Sequence, residues 1–345
     1  MRKPVILVTG ANGEIGHGLL EYFGSDGDHE VIALDVHPLD ERLRQYCTAS
    51  IVGDILDENL LNRLVSQYEI HAIYHLAALL STRAEYTPLA AHRVNVDGTV
   101  NLLHLAAEQA RWHGQPVKFL FPSSIAAYGL PDVETKNEVG AVAEHEYTTP
   151  TTMYGCNKLY CEQVGRYYSL YYRQLAAERD AVSVDFRALR FPGLISAVTL
   201  PTGGTSDFAP EMIHAAVKGE SYKCFVEPGA RIPFMAMSDA IKALIDLAAA
   251  PEENLTQRVY NVTAFSPTAG EIREHILELL PEAEIGYEVD EPRAKIIDTW
   301  PADVDDEPAR RDWGWQPDWE FERAFGEYLI PKIQEYYRSN SEASE

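Results

Sequence analysis

Apolar residues in the first half of the chain fall into short unbroken runs separated by stretches of helical period. Val5-Ile-Leu-Val-Thr9 is one such run, with the length and continuity of a strand buried on both faces. After it, Ile15, Leu19, Leu20 and Phe23 recur at helical spacing. Further runs end in Val31-Ile-Ala-Leu-Asp35, Ser50-Ile-Val-Gly-Asp54, Ala72-Ile-Tyr-His-Leu76, Val117-Lys-Phe-Leu-Phe121 and the stretch Val182 to Arg190. Between them the pattern predicts a short helix over Leu39–Tyr46 and another around Asn59–Tyr68. It also predicts a long helix from about Pro88 to Trp112 and an aromatic-rich one from Met153 to about Glu178. Such alternation predicts an α/β fold, a doubly wound parallel sheet of Rossmann type with helices on both faces.

The second half changes character. Residues 131–150 are polar and acidic without a clear period and read as a long surface loop. Beyond Phe191-Pro-Gly193, short apolar pieces are interrupted by Pro201, Gly203, Gly204, Pro210, Pro228 and Gly229. Helical pieces follow at Asp239–Ala250 and Thr268–Leu280, with a strand at Val259–Val262 and a last helix about Phe321–Tyr337. The expected division is residues 1–192 as the sheet domain and 193–337 as mainly a smaller α/β substrate-binding lid on the C-terminal side. Some lid segments return to the sheet, and 338–345 form a frayed tail.

Composition narrows the partners. Against 29 Lys and Arg stand 53 Asp and Glu, a formal charge of −24, so neither nucleic acid nor an anionic membrane is an expected partner. Cys47, Cys156, Cys161 and Cys224 make no C-x-x-C pair and no metal-ligand spacing; they read as thiols of a reducing, cytoplasmic protein, and no metal is expected. The Val5–Val8 run is too short for a signal-peptide core and is used by the first strand. His75, between Tyr74 and Leu76, reads as a packed strand residue.

The chemistry starts at Gly10-Ala-Asn12-Gly13-Glu14-Ile15-Gly16, a glycine-rich turn with a strand before it and a helix after it. Gly10 allows the tight turn, Gly13 lets a pyrophosphate approach the backbone, and Gly16 lets the helix pack on the strand. The helix N-terminus faces the phosphates. Asp35 closes the next strand about 20 residues on, where a carboxylate accepts from ribose hydroxyls and repels a 2′-phosphate, so NAD is expected rather than NADP. Ligands of such sheets collect at the carboxyl ends of the strands. Candidate cofactor residues there are Asp54 with Ile55, Leu76 with the small Ala77 and Ala78, Asn95 within the long helix, and Pro192. Asp54 reads either as an adenine contact or as a helix N-cap. Asn95 reads either as a hydrogen-bonding residue near the cofactor or as solvent-facing.

Tyr154 and Lys158 stand one helical turn apart on one face. A phenol titrates at about 10, too high for an efficient base at neutral pH. A nearby ammonium favours the phenolate, and the Lys158 head can also bind the nicotinamide ribose. A hydroxyl from Ser124, or from its neighbour Ser123, can hold a substrate oxygen where Tyr154 exchanges its proton. The reaction class is hydride transfer coupled to proton transfer at a secondary alcohol.

Thr9 to Gly16, His75-Leu-Ala-Ala78, Ser123-Ser124 before Ala127-Tyr-Gly129, and Tyr154-x-x-x-Lys158 resemble the extended short-chain dehydrogenase/reductase superfamily over essentially the whole chain. Dehydratases of that superfamily carry Asp-Glu after the catalytic hydroxyl; here Ile125-Ala126 follow. Ala77–Ser81, Arg190–Ser196, Pro201–Asp207, Ile297–Trp300 and Ala309–Trp315 resemble one subgroup, the short-chain-type L-threonine 3-dehydrogenases. The resemblance implies oxidation of the 3-hydroxyl of L-threonine to 2-amino-3-ketobutyrate with NAD as acceptor. Candidate substrate contacts are then Ser81, Ser123, Ser124, Tyr154, Thr199, Gly203, Gly204, Thr205 and Trp300. Ser81 also reads as a turn cap, Gly203-Gly204 as a bend and Trp300 as lid core. A homodimer is the default of the family; extra residues around 111–115 and 173–181 lengthen the helices used for pairing and leave a monomer open. The competing enzyme is a nucleotide-sugar 4-epimerase, for which Arg231 stands at the diphosphate-binding position. A non-catalytic NAD-sensing regulator ranks below it, because both Tyr154 and Lys158 are present.

Overall fold

The computed structural model describes residues 4–26, 29–176, 184–201 and 203–342. In chain order the first strands are β1 (Pro4–Thr9), β2 (Glu30–Asp35), β3 (Ala49–Val52), β4 (Glu69–His75), β5 (Val117–Ser124) and β6 (Ala141–Val142). They are followed by β7 (Val184–Phe191), β8 (Gly193–Ile195), β9 (Tyr222–Cys224), β10 (Phe234–Ala236), β11 (Val259–Asn261), β12 (Ile285–Tyr287) and β13 (Asp303–Val304). Seven of them form one sheet in the order β11-β7-β5-β4-β1-β2-β3. β1 pairs in parallel with β2 on one side and with β4 on the other. The strand order therefore reverses at β1, the switch point where open α/β sheets bind their ligands.

Two compact units divide the chain: residues 1–124, 153–190 and 244–260 make the first, and 125–152, 191–243 and 261–345 the second. Against the 1–192 and 193–337 division expected from sequence, 125–152 groups with the later residues; 244–260 groups with the sheet, a return that the expectation allowed for some lid segments.

In the first unit the apolar runs are continuous because both sheet faces are covered. Leu7, Ile73, Phe119 and Phe186 pack with Leu60, Leu61 and Leu64 of α2 (Glu58–Gln67, which follows α1, Glu14–Asp26) in one core cluster. The long helix expected over 88–112 is divided. After α3 (Ser81–Tyr86), α4 (Pro88–His92) passes through a π-helical turn at Arg93–Asp97 into α5 (Gly98–His113). Such turns are frequent at functional sites, and this one contains Asn95.

β7 carries two buried arginines. Arg187 pairs with Asp185 at 2.6 Å and donates to the carbonyls of Leu247 and Ala250, satisfying the end of the helix Met237–Ala249. Arg190 grips Glu162 with Nε and Nη2 at 2.9 and 2.7 Å. Residues 182–183 of the expected strand, and 177–178 of the helix expected to reach Glu178, lie outside the described residues; that helix, α7, spans Met153–Leu170.

In the second unit the expected loop 131–150 is partly ordered secondary structure. Asp132 caps α6 (Val133–Glu138) by accepting from the Thr135 amide, and β6 pairs with β13. Six-residue and two-residue elements are too short to leave a period in sequence. The last helix continues through Glu342, so the tail expected to fray from 338 is helical that far.

Removing the cation from the Arg190–Glu162 pair leaves a carboxylate at 0% exposure without its partner. Arg190→Met is expected to destabilise the protein by about 3–5 kcal/mol, measured as a fall in urea midpoint at unchanged slope. A midpoint like that of wild type would show that the pair carries no net stability.

Candidate active site

The turn after β1 is built by a close approach. Gly10 has φ of +66°, and a Cβ there would stand 2.6 Å from the Ala77 amide nitrogen. Only glycine fits, so the turn and the Leu76-Ala77-Ala78 segment meet backbone to backbone. A Cβ on Gly16 would come 2.5 Å from the Ala11 carbonyl, which keeps α1 close to the turn. Gly13, Glu14 and Ile15 lead into that helix. Asp35 ends β2 and accepts from the Asn12 and His37 amides, both at 3.0 Å. Asn12 in turn donates to the Pro38 carbonyl and accepts from the Asp40 amide. The cradle, the helix start and the oriented carboxylate fit a dinucleotide.

A buried polar relay joins the ends of β1 and β4 to the helix that follows. Thr99 donates its hydroxyl proton to the Asn95 carbonyl at 2.5 Å, so it can only accept from His75 Nε2 at 2.9 Å. His75 Nδ1 then accepts from Thr9 Oγ1 at 2.8 Å, and burial holds the imidazole neutral, with its pKa pushed down to about 3. His75 is thus the packed strand residue expected. The Asn95 side chain accepts from the Leu79 amide at 2.7 Å and donates to the Leu79 carbonyl at 3.0 Å. This is the hydrogen-bonding role of its two readings, and the partner is backbone just past Ala77-Ala78. Asp54 accepts from the Leu56 amide, while Asp57 provides the N-cap of α2; the capping reading of Asp54 is corrected. Ile55 is buried against Gly98.

α7 begins at Met153, whose amide donates to the Glu85 carboxylate at 2.7 Å, one residue before Tyr154. The Lys158 ammonium lies 5.4 Å from the centre of the Tyr154 ring. It donates to the Pro122 carbonyl at 2.6 Å and stands 4.6 Å from the centre of the Phe121 ring. The expected lowering of the phenol by this lysine is not what the geometry gives: burial pushes Tyr154 up, and Lys158 donates to the Pro122 carbonyl. Burial pushes Lys158 down to about 8, opposed by Cys161 and Glu162. Ser123 is buried and its hydroxyl donates to Glu162, while Ser124 stands at the end of β5.

Sequence reasoning passed over Glu162 and Arg190. Their signal was present: a carboxylate one turn beyond Lys158, and charges inside a strand buried on both faces.

In the second unit, Pro192 is buried, Gly203 has φ of +81°, and the Gly204 amide donates to Asp207 at 2.6 Å. The Gly204 carbonyl accepts from Arg293 at 2.8 Å, so the Gly-Gly bend is pinned from two sides. Thr205 is buried, and Ser81, in the first unit, opens α3. Among the described residues, Thr199 Oγ1 and Trp300 Nε1 have no hydrogen-bond partner although both atoms are buried, and Trp300 is only 4% exposed. Buried polar atoms of this kind are costly unless a further group satisfies them. Arg231 donates to the Ser266 carbonyl and pairs with Glu271 at 3.2 Å, so its guanidinium is already engaged. Among the described residues no group of His, Cys, Asp and Glu forms a metal site, and no helix is long and apolar enough to cross a membrane.

A glycine-rich turn at the switch point, with a Tyr-x-x-x-Lys helix beside the strand that ends in Ser124, defines a nicotinamide-cofactor enzyme of the short-chain dehydrogenase/reductase type. The chain belongs to the NAD dependent epimerase/dehydratase family, which it matches over residues 6–263. Within that family it is 36% identical over 319 residues to the mitochondrial L-threonine 3-dehydrogenase of Bos taurus, covering 91% of this chain and 79% of that one. The L-threonine dehydrogenase structure from Clostridium difficile is 32% identical with a TM-score of 0.84, covering 97% of this chain and 99% of that one. A monomeric L-threonine 3-dehydrogenase from a metagenome is 33% identical with a TM-score of 0.80, covering 97% and 100%.

Lys158 provides a pH test. Below about pH 8 it is protonated whether folded or unfolded, and above about 10.5 in neither state. Between these values the unfolded chain binds the extra proton, so this group raises stability as pH rises. Urea unfolding of wild type and Lys158→Met is expected to show the wild type gaining on the variant from pH 8 to 10; parallel curves would contradict the depressed ammonium.

Proposed function

We propose that the protein oxidises the 3-hydroxyl of L-threonine to 2-amino-3-ketobutyrate with NAD as the hydride acceptor. The observation that carries this reading is the joint presence of Ser124, Tyr154 and Lys158 in the first unit with the pinned Gly203-Gly204 bend and Trp300 in the second. The identity to L-threonine 3-dehydrogenases over nine-tenths of the chain supports it.

Asp35 would bind the adenosine ribose hydroxyls, and its charge disfavours a 2′-phosphate, so NAD is the cofactor. The Gly10–Gly16 turn would hold the pyrophosphate, and Asp54, Ile55, Leu76, Ala77, Ala78, Asn95 and Pro192 would line the site. When bound, the nicotinamide supplies a hydride acceptor. Ser124 holds the substrate oxygen and Tyr154 takes its proton as the adjacent C–H bond gives up hydride, leaving the ketone. Because burial raises the Tyr154 phenol, an ammonium is required to favour the phenolate, and Lys158 is the cation at hand. Lys158 would also bind the nicotinamide ribose. Thr199 and Trp300 carry buried polar atoms in need of partners, and the carboxylate of a small zwitterion supplies acceptors for both. Ser81, Gly203, Gly204 and Thr205 complete the proposed substrate residues.

The engaged state of Arg231 does not favour a diphosphate ligand, and the epimerase reading gains no support from it. Exposed aromatics on α5 and α7 (Trp112 at 62%, Tyr160 at 52%) favour pairing of these helices in a homodimer, with a mass near twice 38.6 kDa by light scattering. Four thiols without a disulfide suit a reducing compartment such as the cytoplasm.

NADH formation decides the matter. L-Threonine with NAD is expected to give stoichiometric NADH, and D-threonine, L-serine and UDP-galactose little or none. Conversion of UDP-galactose to UDP-glucose without net NADH would move the protein to the epimerases. Tyr154→Phe is expected to lower turnover by about 10²–10⁴ while NAD still binds; undiminished turnover would remove Tyr154 as the acid/base.

A further inference from the structure

The segment 130–151, which carries no sequence motif, grips the chain on both sides of Trp300. Leu130 donates its amide to the Thr299 carbonyl at 2.8 Å. Thr299 Oγ1 donates to the Ile296 carbonyl at 2.8 Å, so the 2.9 Å contact between Thr151 Oγ1 and Thr299 Oγ1 has Thr151 as donor. Beyond Trp300, β6 pairs with β13 at Asp303 and Val304. The central contact is Lys136. It is 3% exposed, and its ammonium donates at 2.8 Å to the Ile297 carbonyl, in the last turn of the helix Glu291–Asp298. The same carbonyl accepts the Trp300 amide at 3.1 Å. A cation on the last carbonyls of a helix is favourable, and its hydrogen bond is stronger than a neutral one. Yet a buried ammonium is costly to desolvate, and burial pushes Lys136 down to about 8 against the pull of Asp298. A methionine of similar length would fill the space without that cost.

We propose that segment 130–151 is a strap that positions Trp300, and that Lys136 is its anchoring, non-catalytic residue, setting affinity for the amino-acid substrate. This rests on the reading of Trp300 as a substrate contact. It accounts for a buried cation that has no part in proton or hydride transfer.

The test compares wild type, Lys136→Met and Lys136→Arg. In Lys136→Met, KM for L-threonine is expected to rise about tenfold, the scale of one hydrogen bond to a charged group, with kcat changed far less and NAD affinity unchanged. Lys136→Arg, which keeps a donating cation, is expected to restore much of the loss. Amide hydrogen exchange over residues 297–304 is expected to be faster in Lys136→Met than in wild type. Unchanged KM together with unchanged exchange overturns the proposal, as does an equal loss of NAD affinity. If wild type does not oxidise L-threonine, the substrate assignment fails, and exchange alone then decides whether the strap holds the segment. Should Lys136→Met fail to fold, the exposed Thr151→Val serves in its place, with a smaller KM rise and faster exchange expected; wild-type values for both overturn the strap.

Discussion

The first unit depends on one buried charge pair. Glu162 and Arg190 meet at 2.7 Å, and Ser123 donates to the same carboxylate. Through these contacts one charged group ties α7 to both β5 and β7, strands that are already neighbours in the sheet. β5 carries Ser124, α7 carries Tyr154 and Lys158, and β7 carries the arginine. Apolar surfaces can slide with little loss, but a buried carboxylate tolerates only the arrangement that satisfies it. The elements that carry the Ser124 and Tyr154 hydroxyls are therefore held by a group outside the proposed proton exchange. Lys158 gains from the same arrangement, since Glu162 is one of the two groups that oppose its loss of charge.

A second buried network is built without charge. Thr9 donates to His75, His75 to Thr99 and Thr99 to the Asn95 main-chain carbonyl, while the Asn95 side chain both accepts from and donates to the backbone of Leu79. Each donor and acceptor is assigned, so the imidazole has no spare valence for a metal and no reason to protonate near neutral pH. The π-helical turn at Arg93–Asp97 contains Asn95, the residue that ends this relay. A helix of strict 3.6 period would give that side chain a different aim.

Much of the fold could be read from the apolar runs, because strands covered on both faces leave continuous signals. Val5–Thr9, Val31–Asp35 and Val117–Phe121 fall within or beside β1, β2 and β5. The glycine turn and the Tyr154–Lys158 spacing were legible for the same reason: their chemistry demands particular residues at fixed separations. What stayed hidden depends on contacts distant in sequence. Nothing local in 131–150 announces a strand of two residues paired with Asp303 and Val304, nor a lysine satisfied by a carbonyl 161 residues away. Ser123 and Ser124 are equivalent in sequence; only the position of Glu162 separates them. The direction of Lys158 toward the Pro122 carbonyl was equally out of reach, since spacing defines a face and not a partner.

Asp35 carries a last consequence. Its two oxygens already accept the amides of Asn12 and His37, so the carboxylate is oriented before any ligand arrives. A carboxylate offers about four acceptor positions, which leaves room for further donors without a change of rotamer. The entropy of ordering that side chain is thus lost during folding rather than at each encounter, which is the physical content of preorganisation. Linkage then runs in the opposite direction as well: a molecule that finds the carboxylate ready binds the folded chain alone, and its free concentration becomes a variable of the protein's own stability.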